Sequence, residues 1–386
     1  MKSILVTGAK GFIGRNLCVA LNRRVDITAI EIIEYDVDSP PGLLEEGLSQ
    51  ADVIYHLAGV NRPKRVEEFA SGNFDLTRQI CATLARLGRR PFLLLSSSMQ
   101  ARMENPYGVS KRQAEEEVFA FGKESGAAVA VFRLPGVFGK WCRPNYNSVV
   151  ATFCHNIARD LPIQISDPAN EIELVYIDDV VQAFMDEAEG APLVNAVAVA
   201  DRTTPIMDGF YCRVQTSYRI TLGALAERIR SFRESRATLA MPDVSDPFVH
   251  ALYGTYLSYL PTDDFAYALT QRTDPRGELA ELLKSPHIGQ IFVSRTRPGI
   301  TRGHHYHDTK VEKFVVLEGE AVIRFRHILG CDIIEYPVSG REFRVVDIPP
   351  GYTHSIENVG QNDLIVLFWA DEIFVQESPD TFALPV

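Results

Sequence analysis

The 386-residue sequence contains no apolar run of the roughly 20 residues that a bilayer-crossing helix needs. Positive charge is also in short supply. The 39 lysines and arginines face 50 aspartates and glutamates, for a formal net charge of −11, which argues against a nucleic-acid or anionic-membrane surface as partner. A phosphate-bearing substrate stays open, because local glycine loops and arginines decide that. Paired cysteine spacing is missing too. The six cysteines, at 18, 81, 142, 154, 212 and 331, read as reduced thiols of a cytosolic protein, not as a disulfide frame or a metal knuckle. Met1-Lys2-Ser3-Ile4-Leu5-Val6-Thr7-Gly8 turns glycine-rich too early for a signal peptide, so none is expected. What is present is globular composition, 46% hydrophobic and 23% charged, at a length that favours about two domains.

Ser3-Ile4-Leu5-Val6-Thr7 reads as a short strand entering Gly8-Ala9-Lys10-Gly11-Phe12-Ile13-Gly14, with a helical pattern from Arg15 through Leu21. Gly-x-x-Gly-x-x-Gly between a strand and a helix permits a tight turn, close approach of a pyrophosphate and close packing of helix on strand. The helix start then offers N–H groups and a positive dipole end to phosphate. Gly8, Gly11, Phe12, Ile13, Gly14 and Arg15 are therefore coenzyme-binding candidates. Leu57, Ala58 and Gly59, after a strand from 53, are expected along the coenzyme's far side. A second strand is expected at 27–30. An acidic residue after it would grip the ribose 2′-hydroxyl of NAD, and an arginine would welcome the phosphate of NADP. Glu31, Glu34 and Asp36 point to the first, Arg15 to the second.

The reactive group is expected in Asn105-Pro106-Tyr107-Gly108-Val109-Ser110-Lys111. Pro106 precedes a run of good helix formers, as at a helix start, and Tyr107 and Lys111, four apart, leave one face of that helix. A phenol is a weak acid, with a reference pKa of about 10, and a neighbouring ammonium favours phenolate and eases proton transfer. Phe92-Leu93-Leu94-Leu95-Ser96-Ser97-Ser98 is an apolar strand ending in hydroxyls, at the end where doubly wound sheets place their chemistry. Ser98, with Ser97 second, is the candidate to hold a substrate carbonyl. Tyr-x-x-x-Lys alone is a frequent accident on amphipathic helices; the glycine loop and the strand-end serine give it weight.

In this order the elements resemble the extended short-chain dehydrogenase/reductase family over roughly the first 245 residues. The resemblance implies a Rossmann-type doubly wound parallel α/β sheet, with Tyr107 as general acid/base. It implies that Lys111 tunes Tyr107 and holds the nicotinamide ribose, and that Ser98 positions the carbonyl. Phe132-Arg133-Leu134-Pro135-Gly136-Val137-Phe138-Gly139 resembles the segment where such proteins turn toward substrate. Beyond it Trp141, Arg143, Asn145 and Asn147 suit a uracil and a diphosphate, and Arg62 lies in an earlier loop able to touch phosphate. Asp178 and Asp179 read as helix caps.

A helix is expected at 220–234, and the turn-rich break at 242–247 sets the boundary, 1–245 against 246–386. Past it the runs 290–294, 313–317 and 321–326 are short, β-rich and separated by glycine turns, as in an all-β jelly roll. His305, His307, Glu312 and Gly319 after Gly299, then Pro349-Pro350-Gly351-Tyr352-Thr353-His354 and Asn358, resemble the two cupin motifs. The departure is that no glycine lies six residues before Pro349, the nearest being Gly340. His305 and His307 alternate on a strand and share its inner face, while Glu312 and His354 are expected from neighbouring strands. Three histidines and a carboxylate suit zinc, nickel, manganese or iron, and zinc is the metal expected. His304 and Lys313, beside the ligands, are acid/base candidates.

A reductase of this type joined to a metal cupin resembles the CapF (WbjC, FnlB) family of bifunctional capsule and O-antigen enzymes. The resemblance takes in His56-Leu57-Ala58-Gly59-Val60-Asn61-Arg62-Pro63, the 141–150 stretch, Asp274-Pro275-Arg276-Gly277 and Gly303-His304-His305-Tyr306-His307. It implies that the cupin epimerises C3 of UDP-2-acetamido-2,6-dideoxy-β-L-arabino-hexos-4-ulose. The reductase part would then reduce the C4 ketone with NADPH, NADH being the alternative, to UDP-N-acetyl-β-L-talosamine on the route to UDP-N-acetyl-L-fucosamine. A cytoplasmic homodimer without nucleic-acid or membrane partners is expected. The competing reading is a single-activity 4-ketoreductase or epimerase whose cupin only dimerises. A nicotinamide sensor without activity would have no use for the tyrosine–lysine pair.

Overall fold

A computed structural model of the chain describes residues 2–24, 30–190 and 211–386. It forms two compact units, Met1–Ile229 with Gly254–Leu260, and Arg230–Tyr253 with Pro261–Val386. The first unit runs β1 (Lys2–Thr7), α1 (Phe12–Asn22), β2 (Ile30–Tyr35), α2 (Leu43–Gln50), β3 (Val53–His56), α3 (Leu76–Leu87), β4 (Phe92–Ser98) and α4 (Pro106–Ser125). It continues through β5 (Val129–Leu134), β6 (Gly136–Phe138), α5 (Val149–Ile157), β7 (Glu171–Tyr176), α6 (Ile177–Ala188), β8 (Tyr211–Cys212) and β9 (Tyr218–Thr221). Helices α7 (Leu222–Thr238) and α8 (Pro247–Leu257) each have residues in both units.

Six strands form one parallel sheet in the order β2-β1-β3-β4-β5-β8. Side chains of a strand alternate between faces, so a parallel sheet covered on both sides reads as unbroken apolar runs. In Leu93-Leu94-Leu95 the outer two leucines join one core with Leu48, Ile80, Leu84 and Val118, while Leu94 joins the other with Leu17, Phe132 and Phe184. Ile4 and Val6 of β1 likewise face away from Leu5. This is a doubly wound, Rossmann-type α/β sheet. A small sheet, β6-β7-β9, extends the same unit.

The second unit contains β10 (Gln271–Asp274), β11 (Gly277–Ser285), β12 (Gly289–Thr296), β13 (Thr301–Tyr306), β14 (Glu312–Glu318) and β15 (Glu320–His327). It ends with β16 (Ile333–Ser339), β17 (Val345–Ile348), β18 (Tyr352–Asn358), β19 (Leu364–Ala370) and β20 (Phe382–Ala383). They make two antiparallel sheets, β10-β11-β12-β19-β14-β17 and β16-β15-β18-β13-β20. Phe314, Val316 and Phe368 of the first sheet meet Ile323, Phe325 and Ile356 of the second in one core, with Phe314 edge-on to Phe368 at 4.5 Å. The architecture is the expected jelly roll.

Some boundaries differ from those read off the sequence. The second strand runs over Ile30–Tyr35, pairing from Lys2↔Ile30 to Thr7↔Tyr35, because its isoleucines continue to find both cores; residues 27–29 lie outside the described ones. Helix α1 opens at Phe12, since Gly11 is already its N-cap. The helix expected at 220–234 starts at Leu222, after β9, and runs to Thr238, with α8 beyond it. No helix among the described residues is long and apolar enough to cross a membrane.

Candidate active site and metal centre

The glycine loop is shaped by contacts that only glycine permits. Gly8 (φ 72°) donates its N–H to the Tyr35 carbonyl at 2.8 Å, and a Cβ there would lie 2.7 Å from Ala58 N. A Cβ on Gly14 would lie 2.1 Å from the Gly8 carbonyl oxygen, so helix and loop pack closer than any larger residue allows. Gly11 caps α1 without a side chain, leaving the first-turn N–H groups directed at whatever binds over the loop. Phe12 and Ile13 anchor that turn against the core, and Arg15 is exposed beside it. Across the cleft Leu57 donates its N–H to the Thr7 carbonyl at 3.1 Å, and Ala58 follows, with its N–H 3.4 Å from Thr7 Oγ1. These residues fit a nicotinamide dinucleotide. With β2 shifted, Glu31 and Glu34 are strand residues, and Asp36 stands at the strand end, accepting the Lys10 N–H at 2.9 Å.

Helix α4 presents the reactive pair. Asn105 caps it, accepting the Gly108 N–H at 2.8 Å, and Pro106 follows at the first position. Tyr107 is half-buried against Phe69, ring centroids 5.6 Å apart. Burial holds its phenol above the ordinary value, and a hydrogen bond with Ser98 pulls the other way. Lys111 is buried, donates to the Ser96 carbonyl at 3.2 Å and lies so near Gly59 that a Cβ there would be 3.0 Å from Nζ. Burial pushes the ammonium down to about 8, opposed by the charge of Glu115.

The strand-end serines divide by the alternation of β4. Ser98 meets Tyr107. Ser97 is buried on the other face and donates to Glu115 at 2.5 Å, where Arg133 Nη2 and Nε reach the same carboxylate at 2.6 and 3.0 Å. Beneath the site runs a further polar chain that sequence reasoning missed. Thr7 Oγ1 lies 2.7 Å from His56 Nδ1, His56 Nε2 lies 2.8 Å from Thr77 Oγ1, and Thr77 donates to the Asn73 carbonyl at 2.7 Å. Asn73, on a π-helical turn (Ala70–Asp75), in turn donates to Ser110 Oγ at 3.0 Å. Burial lowers His56 to about 3. The sequence signal for this chain was the polar His56 ending an apolar strand.

Trp141, Arg143, Asn145 and Asn147 are exposed, alternating with half-buried residues between β6 and α5. Trp141 and Asn145 take left-handed backbone, φ 69° and 54°, which keeps the segment from extending β6. Arg143 lies over Tyr146 at 5.0 Å, and Asn145 donates its backbone N–H to Thr152 Oγ1 at 3.0 Å. Tyr259 ties the segment from below, donating to the Cys142 carbonyl at 2.5 Å. Arg62 is exposed in its own loop. Asp178 and Asp179 are not caps: Tyr176 holds the N-cap position of α6, and both aspartates lie in the first turn, where the helix dipole favours them.

In the second unit the structure brings together the four candidates for metal ligation. His305, His307, Glu312 and His354 each offer an atom, all within 4.8 Å of one another. His305 and His354 are cross-strand partners on β13 and β18. His307 follows β13 directly, after a bulge at Gly303–His305. Glu312 opens β14, which belongs to the opposing sheet and is not a neighbour of the histidine strands; the site lies between the sheets. His307 Nε2 and His354 Nε2 stand 3.4 and 3.7 Å from Glu312 Oε2. His307 Nε2 and both ring nitrogens of His354 are buried without a hydrogen-bond partner, an orphaned state that a cation would relieve. Burial lowers His305, and lowers His354 to about 3. Burial also pushes Glu312 up, but His307, Lys310 and His354 pull it lower, so the net shift is down. A neutral His305 and His354 beside an ionised carboxylate are in the states a divalent metal needs, and the residues fit one.

The two acid/base candidates lie elsewhere. Lys313 alternates outward from Glu312 and pairs with Asp347. His304, in left-handed backbone at φ 61°, is exposed and accepts from the Val386 N–H at 3.3 Å. Lys310 is the cation at the cluster instead, buried, its Nζ 3.6 Å from Glu312 Oε1.

Known proteins carry the same pair of folds. Residues 4–189 match the NAD dependent epimerase/dehydratase family and residues 272–382 the polysaccharide biosynthesis C-terminal domain. The capsular polysaccharide assembling protein CapF from Staphylococcus aureus shares 43% identity over 99% of this chain and 100% of its own, with a TM-score of 0.88. The chain belongs to the CapF family. It is 47% identical over 383 residues to the UDP-2-acetamido-2,6-beta-L-arabino-hexul-4-ose reductase of Pseudomonas aeruginosa, which spans 99% of this chain and 98% of that one. With a reductase this similar in the CapF family, the chain is an enzyme. UDP-glucuronic acid 4-epimerase from Bacillus cereus in complex with NAD, at 18% identity and a TM-score of 0.53 over 67% of this chain and 96% of its own, shares the fold alone.

Proposed function

We propose that this enzyme processes a UDP-linked 2-acetamido-2,6-dideoxy-hexos-4-ulose in two steps, inverting C3 in the second unit and reducing the C4 ketone in the first. The observation that carries the reading is 47% identity over nearly the full length to a reductase named for that hexulose, in a chain where Ser98 meets Tyr107 at the sheet's C-terminal edge. A ketone at C4 acidifies the C3 hydrogen, so inversion needs a base and a stabiliser for the enolate oxygen. A divalent metal, zinc by expectation, would supply Lewis acidity at His305, His307, Glu312 and His354. A bound nicotinamide would supply the hydride for C4. Ser98 orients the carbonyl, Tyr107 delivers the proton to the C4 oxygen, and buried Lys111 holds the ribose. Trp141, Arg143, Asn145, Asn147 and Arg62 receive the UDP. The product is UDP-N-acetyl-β-L-talosamine, on the way to UDP-N-acetyl-L-fucosamine in capsule or O-antigen synthesis, and the working form is a cytoplasmic homodimer.

NADPH is the coenzyme the family resemblance implies, with Arg15 to meet its phosphate. Asp36 favours a second reading, NADH. Its carboxylate at the β2 end is fixed by Lys10 N–H, where it would accept from a ribose hydroxyl and repel a 2′-phosphate.

The deciding experiment is NMR of the UDP-hexulose with the purified protein in deuterated water without nicotinamide. Deuterium should enter C3, and NADPH or NADH added afterwards should drive reduction and rank the coenzymes. No C3 exchange, with reduction on adding coenzyme, leaves a reductase whose cupin is structural. The Tyr107→Phe protein should keep C3 exchange while reduction falls by about 10²–10⁴; loss of both in a folded variant contradicts separate sites.

A further inference from the structure

The segment 380–386 is tied to the metal cluster by more bonds than its two-residue strand requires. The main-chain carbonyl of Asp380 lies 2.5 Å from His307 Nδ1. Its carboxylate accepts the N–H groups of Asp308, Thr309 and Lys310 at 2.8, 2.8 and 2.7 Å, and the Thr309 hydroxyl at 3.0 Å. The next residue, Thr381, takes the buried Lys310 ammonium on Oγ1 at 3.1 Å. Strand β20 then pairs with β13, His305 opposite Ala383 and Tyr306 opposite Phe382, whose rings stack at 5.3 Å. Thr353, the neighbour of His354, donates to the Leu384 carbonyl, and Leu384 donates to the His304 carbonyl at 2.9 Å.

Two consequences follow from the donor and acceptor chemistry. A carbonyl oxygen cannot donate, so His307 Nδ1 must carry the proton. That leaves Nε2 with its lone pair toward Glu312 and His354, the state in which an imidazole ligates metal. The carboxylate gathers three consecutive backbone amides of the turn between His307 and Glu312, and so fixes the spacing of two ligands drawn from opposing sheets. Loose ligands would have to be ordered on binding, at a cost in affinity.

We propose that 380–386 is a strap that sets the metal centre, with Asp380 as its positioning residue, holding His307 as an Nε2 ligand and locking the 308–310 turn. The proposal rests on reading the four-residue cluster as a metal centre. It makes the strap part of metal retention without placing any of its residues in contact with the ion.

The test uses the full chain as wild type, Asp380→Ala and Asp380→Asn, loaded with zinc and challenged with a competing chelator. It adds 15N NMR of histidine-labelled, metal-free protein. The alanine variant should bind zinc about 10–100-fold more weakly, with asparagine, which keeps an acceptor oxygen, in between. The wild type should show His307 as the Nδ1–H tautomer; Asp380→Ala keeps the main-chain carbonyl that this proton meets, so its tautomer should hold while zinc affinity falls and the β-sheet circular dichroism is unchanged. Zinc affinity in Asp380→Ala within about twofold of wild type, or His307 protonated on Nε2 in the wild type, overturns the strap. Should the alanine variant fail to fold, the wild-type tautomer and the asparagine variant decide by the same criteria. A wild type that takes up no zinc, nickel, manganese or iron overturns the metal-centre reading itself, an outcome distinct from a strap that makes no difference.

Discussion

At the scale of single residues, burial sets the charge states that matter. Burial pushes His56 down to about 3 in the folded chain, against about 6.5 for a free imidazole, so below pH 6.5 the unfolded chain binds a proton that the folded chain refuses. Its contribution is neutral above 6.5 and destabilising as pH falls toward 3, by about 1.4 kcal/mol per pH unit at most. Urea unfolding from about pH 6.5 to 4 should show this limb, and His56→Gln should flatten it; an unchanged slope would mean another group carries the acid sensitivity. In the second unit, His305→Ala removes one of the four candidate donors. Zinc content measured by elemental analysis should fall well below that of the wild type, and full retention would remove His305 from the ligand set. The sequence made these four ligand candidates visible through their spacing, because ligands must occupy fixed strand positions. It misdirected the search for a neighbouring acid or base toward His304 and Lys313. Their side chains are turned away by a bulge and by strand alternation, and Lys310, set in an irregular turn, has no periodicity to betray it.

At the scale of elements, α4 must be held in register with β4 and β5 for Tyr107 to reach Ser98 and for Lys111 to reach the Ser96 carbonyl. The buried Glu115 does this, one turn beyond Lys111, joining Ser97 on β4 and Arg133 on β5. Arg133 also lies over the Tyr211 ring at 3.9 Å. Removing one partner of a buried ion pair strands the other charge, so Glu115→Ala should cost about 3–5 kcal/mol. Chemical denaturation would measure it, with kcat for reduction falling in the same variant; a loss under about 1 kcal/mol would show that the pair does not pin the helix. None of this network was legible beforehand. Glu115 looks like any polar residue of a helix, and Arg133 like one interruption of an apolar strand. Their pairing joins a helix residue to a strand residue 18 apart in sequence, which only the packing of α4 on the sheet brings together.

At the scale of the molecule, each ligand should stabilise the unit that supplies its contacts. Mass action raises the unfolding temperature of whichever structure binds. In calorimetry a chelator should therefore lower the transition that zinc restores, while NADPH or NADH should raise the transition of the first unit. A single transition moved equally by chelator and coenzyme would show that the two units unfold as one.

The sequence by itself determined the fold classes of both units, the glycine loop, the tyrosine–lysine pair and the set of four metal-ligand candidates. All of these are written in local spacing: three glycines in seven residues, four residues along a helix, two along a strand. Tertiary structure alone decided that β2 extends to Tyr35 and leaves Asp36 just past the strand end, bonded to the glycine loop at Lys10. It also decided that Ser98 and not Ser97 faces the phenol, that Glu312 reaches the histidines from the opposite sheet, and that Asp380 closes the turn between them. Those choices depend on which distant backbone amides and core side chains come within bonding distance. No local pattern encodes that, since burial and hydrogen-bond partnership are properties of the packed chain.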